Sequence, residues 1–142
     1  MDRRDWAPLQ AMIDRHEGRR RDLYFDTKGI PTIGAGRNLR AKGLSNMEIE
    51  YLRDNDIQDA IEELSKYSWY STLNQPRQAA LIDAMFTLGP TRFAGFQGLI
   101  AALSGANYAR ACAEMIDSKW HFEAPKRVEY DAALLLAGAW PE

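Results

Sequence analysis

HEGRRRDLYFDTKGIPTIGAG, residues 16–36, gathers a glutamate, two aspartates, two threonines and four of the chain's ten glycines into one short span. Two short apolar runs within it, 23–25 and 30–33, flank the turn former DTKG and read as the strands of a hairpin, with Gly34 and Gly36 allowing a further bend. Upstream, Leu9, Met12, Ile13 and His16 recur at i, i+3, i+4 and i+7 behind Pro8, which predicts a helix over 8–16 that Gly18 ends.

Downstream the period changes from two to 3.6. Ser45 and Glu48 form a capping box, and Ile49, Leu52, Ile57, Ala60, Ile61 and Leu64 continue one helical stripe over 45–66, with its many acidic residues on a solvated face. Asn74 caps a helix whose stretch QAALIDAMFTL is apolar nearly all round until Gly89 and Pro90 stop it, the mark of a helix buried at the centre of a lobe. A turn near Arg92 and helices over 96–103, 108–119 and 125–137 follow. Strands in one region and helices elsewhere make an α+β fold. The expected division is a sheet-bearing lobe over 17–56, a long linker helix over 45–66, and a helical lobe over 67–142 that also takes the N-terminal helix.

With 142 residues, 46% of them hydrophobic, and a net charge of −2, the chain has the profile of one ordinary globular domain able to form a core unaided. A lone cysteine, Cys112, excludes an internal disulfide, and two scattered histidines, His16 and His121, make no ligand cluster, so neither metal nor cofactor is expected. The start MDRRDWAPLQAM is not a signal peptide, and the longest apolar run, AALLLAGAW, falls far short of the roughly 20 residues that span a bilayer. No stable membrane association is expected. Residues 1–44 carry ten Lys/Arg against six Asp/Glu, a basic first third that suits an anionic polymer, nucleic acid or cell wall. Arg19, Arg20 and Arg21 by themselves read as a solvated turn, and the acidic overall balance with no base-reading motif speaks against nucleic acid.

GAGRNL lacks the third glycine of a dinucleotide fingerprint, no G-x-S-x-G is present, and Cys112 lies inside the helical run YARACAEMI as a packed thiol. Carboxylates remain. Glu17 closes a helix and Asp26 sits at the tip of the next hairpin, so the chain is expected to turn back between them and bring both towards one cleft, although the pair alone is equally read as exposed and inert.

Glu17-Gly18, then Tyr24, Asp26, Gly29 and Thr32-Ile33-Gly34-x-Gly36 resemble, in order and spacing, the catalytic segment of the phage-type lysozymes, glycoside hydrolase family 24. MFTLGPTRFAGF is similar to that family's buried helix and following turn, and SKW with APKR to its closing segment, so the resemblance covers nearly the whole chain. It implies a two-lobed lysozyme fold with a peptidoglycan glycan strand as partner, and hydrolysis with inversion of the β-1,4 bond between N-acetylmuramic acid and N-acetylglucosamine. A sugar leaving group needs a proton, and the opposite ring face needs an activated water. The resemblance maps Glu17 to the general acid, Asp26 to the carboxylate that activates the water, and Thr32 to that water's other partner. It further implies substrate contacts from Arg127, Phe86 and Asn38, with Arg127 reaching Glu17.

Two positions depart from the family. Arg37 stands where histidine is common, and Thr87 where Asn or Gln is; the histidine's usual partner aligns with Asp56, so an Arg37–Asp56 ion pair is expected. The connection RNLRAKGLS is also short, which reduces the upper lip of the cleft. A phage endolysin, a tail-borne lysozyme and a bacterial toxin would share these residues; the first is the expected setting, a monomer made in the host cytoplasm and reaching periplasmic peptidoglycan after holin-type release. The rivals are a catalytically silent lysozyme-like binder or phage structural protein, whose mark would be a missing acid, and a nucleic-acid-binding module using Arg19–Arg21.

Overall fold

Gly18, at φ 76°, ends the first helix, α1 (Ala7–Glu17), and turns the chain into strand β1 (Arg20–Phe25). In this computed structural model, which describes residues 1–142, β1 pairs antiparallel with β2 (Pro31–Gly34) and β2 pairs antiparallel with β3 (Arg37–Asn38), giving the sheet order β1-β2-β3. The chain forms two compact units, Met1–Glu50 and Tyr51–Glu142, and the boundary falls inside helix α2 (Asn46–Leu64). The helical remainder comprises α3 (Gln75–Ala94), α4 (Gln97–Ser104), α5 (Tyr108–Ile116), α6 (Lys119–Glu123) and α7 (Pro125–Ala137).

The α+β expectation is met, with two differences in detail. β1 starts at Arg20 rather than at residue 23, because Arg20 pairs with Gly34 across a register irregularity that runs to Tyr24. Of the three arginines read as a turn, Arg20 and Arg21 are therefore strand residues, and β3, only two residues long, carried no pattern to read. Gly89, at φ 77° and ψ 168°, breaks the helical path of α3 where a stop was expected, and Pro90 opens the short second segment around Arg92 with the φ its ring prefers. Finally, the helix expected over 108–119 is cut by Ser118, whose hydroxyl accepts from the His121 amide and starts α6.

The second unit has a continuous core: Leu64, Leu81, Phe93, Leu99, Leu103, Met115, Trp120, Val128 and Leu135 are essentially inaccessible to solvent. Tyr67 packs face-on against Trp69 and edge-on against Phe93 at its border. The end of α7 is clasped by α3, where Arg77 donates to the carbonyls of Leu135 and Leu136 and the Asn74 amide donates to Gly138. In the first unit, no residue of α1 or β1 is buried. α1, expected with the helical lobe, belongs by its contacts to this first unit. No helix of the chain is long and apolar enough to cross a membrane.

Candidate active site

The backbone of Ile30 organises the hairpin tip. Its N–H donates to Asp26 Oδ1 at 2.9 Å, and its carbonyl accepts both the Asp26 amide at 3.0 Å and the Thr32 hydroxyl at 2.8 Å. Lys28 N–H gives the same Asp26 oxygen a second bond at 2.8 Å, the side-chain turn that aspartate favours at such a tip. Asp26 Oδ2 receives no protein donor and remains available. Thr32 is the one buried residue of the first unit, 5% exposed. Since a carbonyl can only accept, its hydroxyl proton is committed to Ile30, and the oxygen presents lone pairs alone.

Glu17 is the last residue of α1 and is exposed. Its carboxylate lies directly over Gly36: a Cβ added there would stand 2.6 Å from Glu17 Oε2 and 2.8 Å from the carboxyl carbon. Gly36 also has φ 80°, a conformation that costs an L side chain about 1–2 kcal/mol. Glycine at this position thus serves both the bend and the close approach of the acid. Glu17, Asp26 and Thr32 all fall in the first unit, on three consecutive elements and their joining turns.

Asn38 pairs with Thr32 across β2 and β3, and its Oδ1 caps the next turn by accepting from the Ala41 amide at 2.9 Å, which leaves its amide nitrogen to donate. Arg37 corrects an expectation. Its guanidinium forks onto Glu48, Nη1 to Oε2 at 2.7 Å and Nη2 to Oε1 at 2.9 Å, and not onto Asp56. A turn over residues 38–43 brings Arg37 to the first turn of α2, where Nη1 also donates to the Gly43 carbonyl, whereas Asp56 lies eight residues beyond Glu48, roughly 12 Å further along the axis. The Arg37 fork holds the Glu48 carboxyl below its usual range. Ser45 caps the Glu48 amide at 3.2 Å as expected.

In the second unit, Arg127 of α7 closes a bidentate pair with Asp83 of α3, both bonds at 2.7 Å. Beside it stands Asp131, only 3% exposed, whose Oδ2 is shut off from solvent and receives no donor. Burial, then its hydrogen bond and charge contact with Asp83, push the Asp131 carboxyl up to about 8 against the weaker pull of Arg127. Protonation resolves the orphaned oxygen, since the neutral acid donates to Asp83. Burial acts to raise Asp83 as well, but the fork from Arg127 and the bond from Asp131 outweigh it and keep Asp83 below the ordinary carboxylate range. Phe86, 41% exposed, borders an open groove of about 350 Å3 with Arg53, Ile57, Ala79, Ile82 and Asp83. The Thr87 hydroxyl donates to the Asp83 carbonyl of its own helix, so it is spent locally.

Sequence reading missed Glu48, Asp83 and Asp131 as partners. The signals for the last two were a lone acid inside the apolar QAALIDAMFTL and an acid four residues after Arg127. No group of three His, Cys, Asp or Glu side chains is arranged to hold a metal ion.

Comparison with known proteins identifies the family. Residues 14–132 match the phage lysozyme family. The chain is 26% identical, over 85% of its length and 89% of the relative's, to a probable T4-type lysozyme of Dictyostelium discoideum. It is 32% identical to the endolysin of Salmonella phage P22 over 70% of its own length and 72% of the relative's. It also aligns at 24% identity with the pre-baseplate central spike protein of enterobacteria phage T4, of whose length it spans 28%.

Proposed function

From the premise that this chain belongs to the phage lysozyme family, we propose that it hydrolyses the β-1,4 bond between N-acetylmuramic acid and N-acetylglucosamine with inversion, as a muramidase that lyses bacterial hosts. The observation that carries the reading is the pair of acceptors organised by Ile30, the free Oδ2 of Asp26 and the lone pairs of Thr32. A water between two acceptors donates both its hydrogens and turns a lone pair outward, the orientation a nucleophile on the anomeric carbon requires. Asp26 takes a proton from this water as it attacks, and Glu17 delivers its own to the departing sugar oxygen. Asn38, Phe86 and Arg127 are the proposed glycan contacts, with Arg127 steered by Asp83.

Lysis is the expected role of an endolysin reaching peptidoglycan through a membrane lesion, and a monomer suffices for it because all three catalytic residues come from one chain. The P22 relative, named an endolysin, supports that role. Glu17→Gln tests the chemistry. General acid catalysis supplies about 10²–10⁴-fold, so reducing-end release from purified cell walls should fall by that factor with an unchanged melting temperature. NMR of the first-formed wild-type product should show the α-anomer, as inversion demands. A retained β-anomer, or lysis at the wild-type rate by the variant, removes this mechanism.

A further inference from the structure

Strand β3 is the shortest element of the first unit, yet both halves of the proposed chemistry lean on it. It comprises only Arg37 and Asn38, which pair with Ile33 and Thr32 of β2, and neither residue is buried. Asn38 faces Thr32 across the ladder, and Gly36, immediately before Arg37, lies beneath the Glu17 carboxylate. A slip of one residue in this pairing would carry Gly36 roughly 3.4 Å along the sheet and turn Asn38 to the opposite face. Two ladder pairs resist such a slip weakly, and no buried apolar side chain in this unit selects the register.

The Arg37 side chain supplies that selection. Cross-strand partners share a face, so Arg37 leaves the sheet beside Ile33, on the side away from Thr32 and Asn38. Its guanidinium grips the following chain at two points: the Gly43 carbonyl at 3.0 Å, and the Glu48 carboxylate through a fork of 2.7 and 2.9 Å. Glu48 is itself fixed at the start of α2, where its amide donates to the Ser45 hydroxyl. A planar fork accepts one orientation of its partner, whereas a single ammonium contact accepts many. Moving β3 by one residue would turn Arg37 to the other face and break all three bonds.

We propose that Arg37 and Glu48 form a positioning pair for the hydrolysis, pinning β3 in the register that keeps Gly36 under the Glu17 carboxylate and Asn38 opposite Thr32. The proposal rests on the hydrolase reading above. Arg37 acts through the strand that carries it and not on the glycan, because its side chain leaves the face that Thr32 and Asn38 share. Its loss should therefore appear in turnover, where misplacing a reacting group by about 1 Å costs on the order of 10²-fold.

Steady-state hydrolysis of soluble glycan strands, measured well below the melting transition, tests the pair with Arg37→Gln, Glu48→Gln and the two combined. Each single change should lower kcat about tenfold to 100-fold, and by more than it raises KM. The double variant should be no slower than Arg37→Gln, because an opened clamp has nothing further to lose. Arg37→Lys keeps the charge without the fork and should retain more kcat than Arg37→Gln. In amide NMR spectra of Glu48→Gln, the signals of Thr32, Gly36 and Asn38 should shift along with those of the first turn of α2. If Arg37→Gln does not fold, Glu48→Gln, which preserves side-chain shape, carries both measurements. Wild-type kcat in the folded single variants overturns the proposal, as do losses that multiply in the double variant, a lysine no better than glutamine, or amide shifts confined to α2. Failure of the wild type to hydrolyse glycan would instead defeat the hydrolase reading, while the spectra still decide whether the pair holds the strand.

Discussion

Every buried apolar side chain of this protein lies in the unit Tyr51–Glu142, whereas the only buried residue of Met1–Glu50 is a threonine. The two regions are held by different physics. The helical unit encloses Phe93, Trp120, Leu81 and their neighbours, each worth about 1.5–3 kcal/mol of transfer free energy on burial. The sheet-bearing unit relies on short-range hydrogen bonds: Asp26 to its own turn, Leu39 to Pro31, and Arg37 to Glu48 and Gly43. The proposed acid, base and water partner all sit in the second kind of construction. Stability and chemistry are thereby assigned to different parts of the sequence, and substitutions should separate them.

The largest stability effect should come from the core. Phe93→Ala removes a fully buried ring from the centre of the helical unit and should cost about 3–5 kcal/mol in chemical denaturation. Below the melting transition, the surviving folded fraction should keep its specific activity, since no proposed catalytic residue belongs to that ring's unit. A loss of turnover in fully folded protein would show that the two constructions are not separable.

Asp131 gives the second test. Its carboxyl lies at about 8 in the folded chain against 3.8 unfolded, so across that window the native state holds one more proton. The stabilisation is complete below pH 4 and is lost as pH rises towards 8, by up to about 1.4 kcal/mol per pH unit for a full proton. Asp83 works in the opposite sense: its depressed carboxyl stabilises above 3.8, and that share disappears as pH falls further into acid. Asp131→Asn keeps a donor for Asp83 without the titration. Its denaturation midpoint should be nearly flat between pH 4 and 8 while that of the wild type declines, and parallel profiles would remove the shared proton from the helical unit.

The smallest effect on stability belongs to the first unit. Gly36→Ala places a methyl against the Glu17 carboxylate in a left-handed conformation and should cost about 1–2 kcal/mol in melting experiments. Hydrolysis should suffer far more, because the acid must move off its seat. If activity and stability fall in proportion, the glycine serves the bend alone.

The hairpin, the capping box at Ser45 and the apolar third helix were legible because each depends on neighbours in sequence: turn formers at fixed offsets, a polar cap three residues before its partner, and a nearly unbroken apolar run. The turn that holds Asp26 near Thr32 was legible for the same reason, whereas the roles proposed for Glu17, Asp26 and Thr32 came from the family resemblance and not from local pattern. What escaped was pairing over longer separations. Arg37 selects Glu48 over Asp56 through the path of the 38–43 turn, and Asp83 finds Arg127 across 44 residues. Residue type alone specifies neither choice. β1 began early because strand pairing with Gly34 captured an arginine that, taken singly, favours water.

Because Asp26 and Thr32 are both tied to the backbone of the one residue Ile30, they travel together whenever the hairpin tip shifts. Thermal motion of the loop therefore leaves the spacing between these two acceptors nearly constant. What fluctuates is their separation from Glu17, which is anchored on a different element, the end of α1. Imperfect closure would then lower the fraction of productive encounters without changing the face from which water arrives. Such an enzyme loses speed before it loses stereochemical fidelity, so a loosened hairpin should still make product of a single anomeric form.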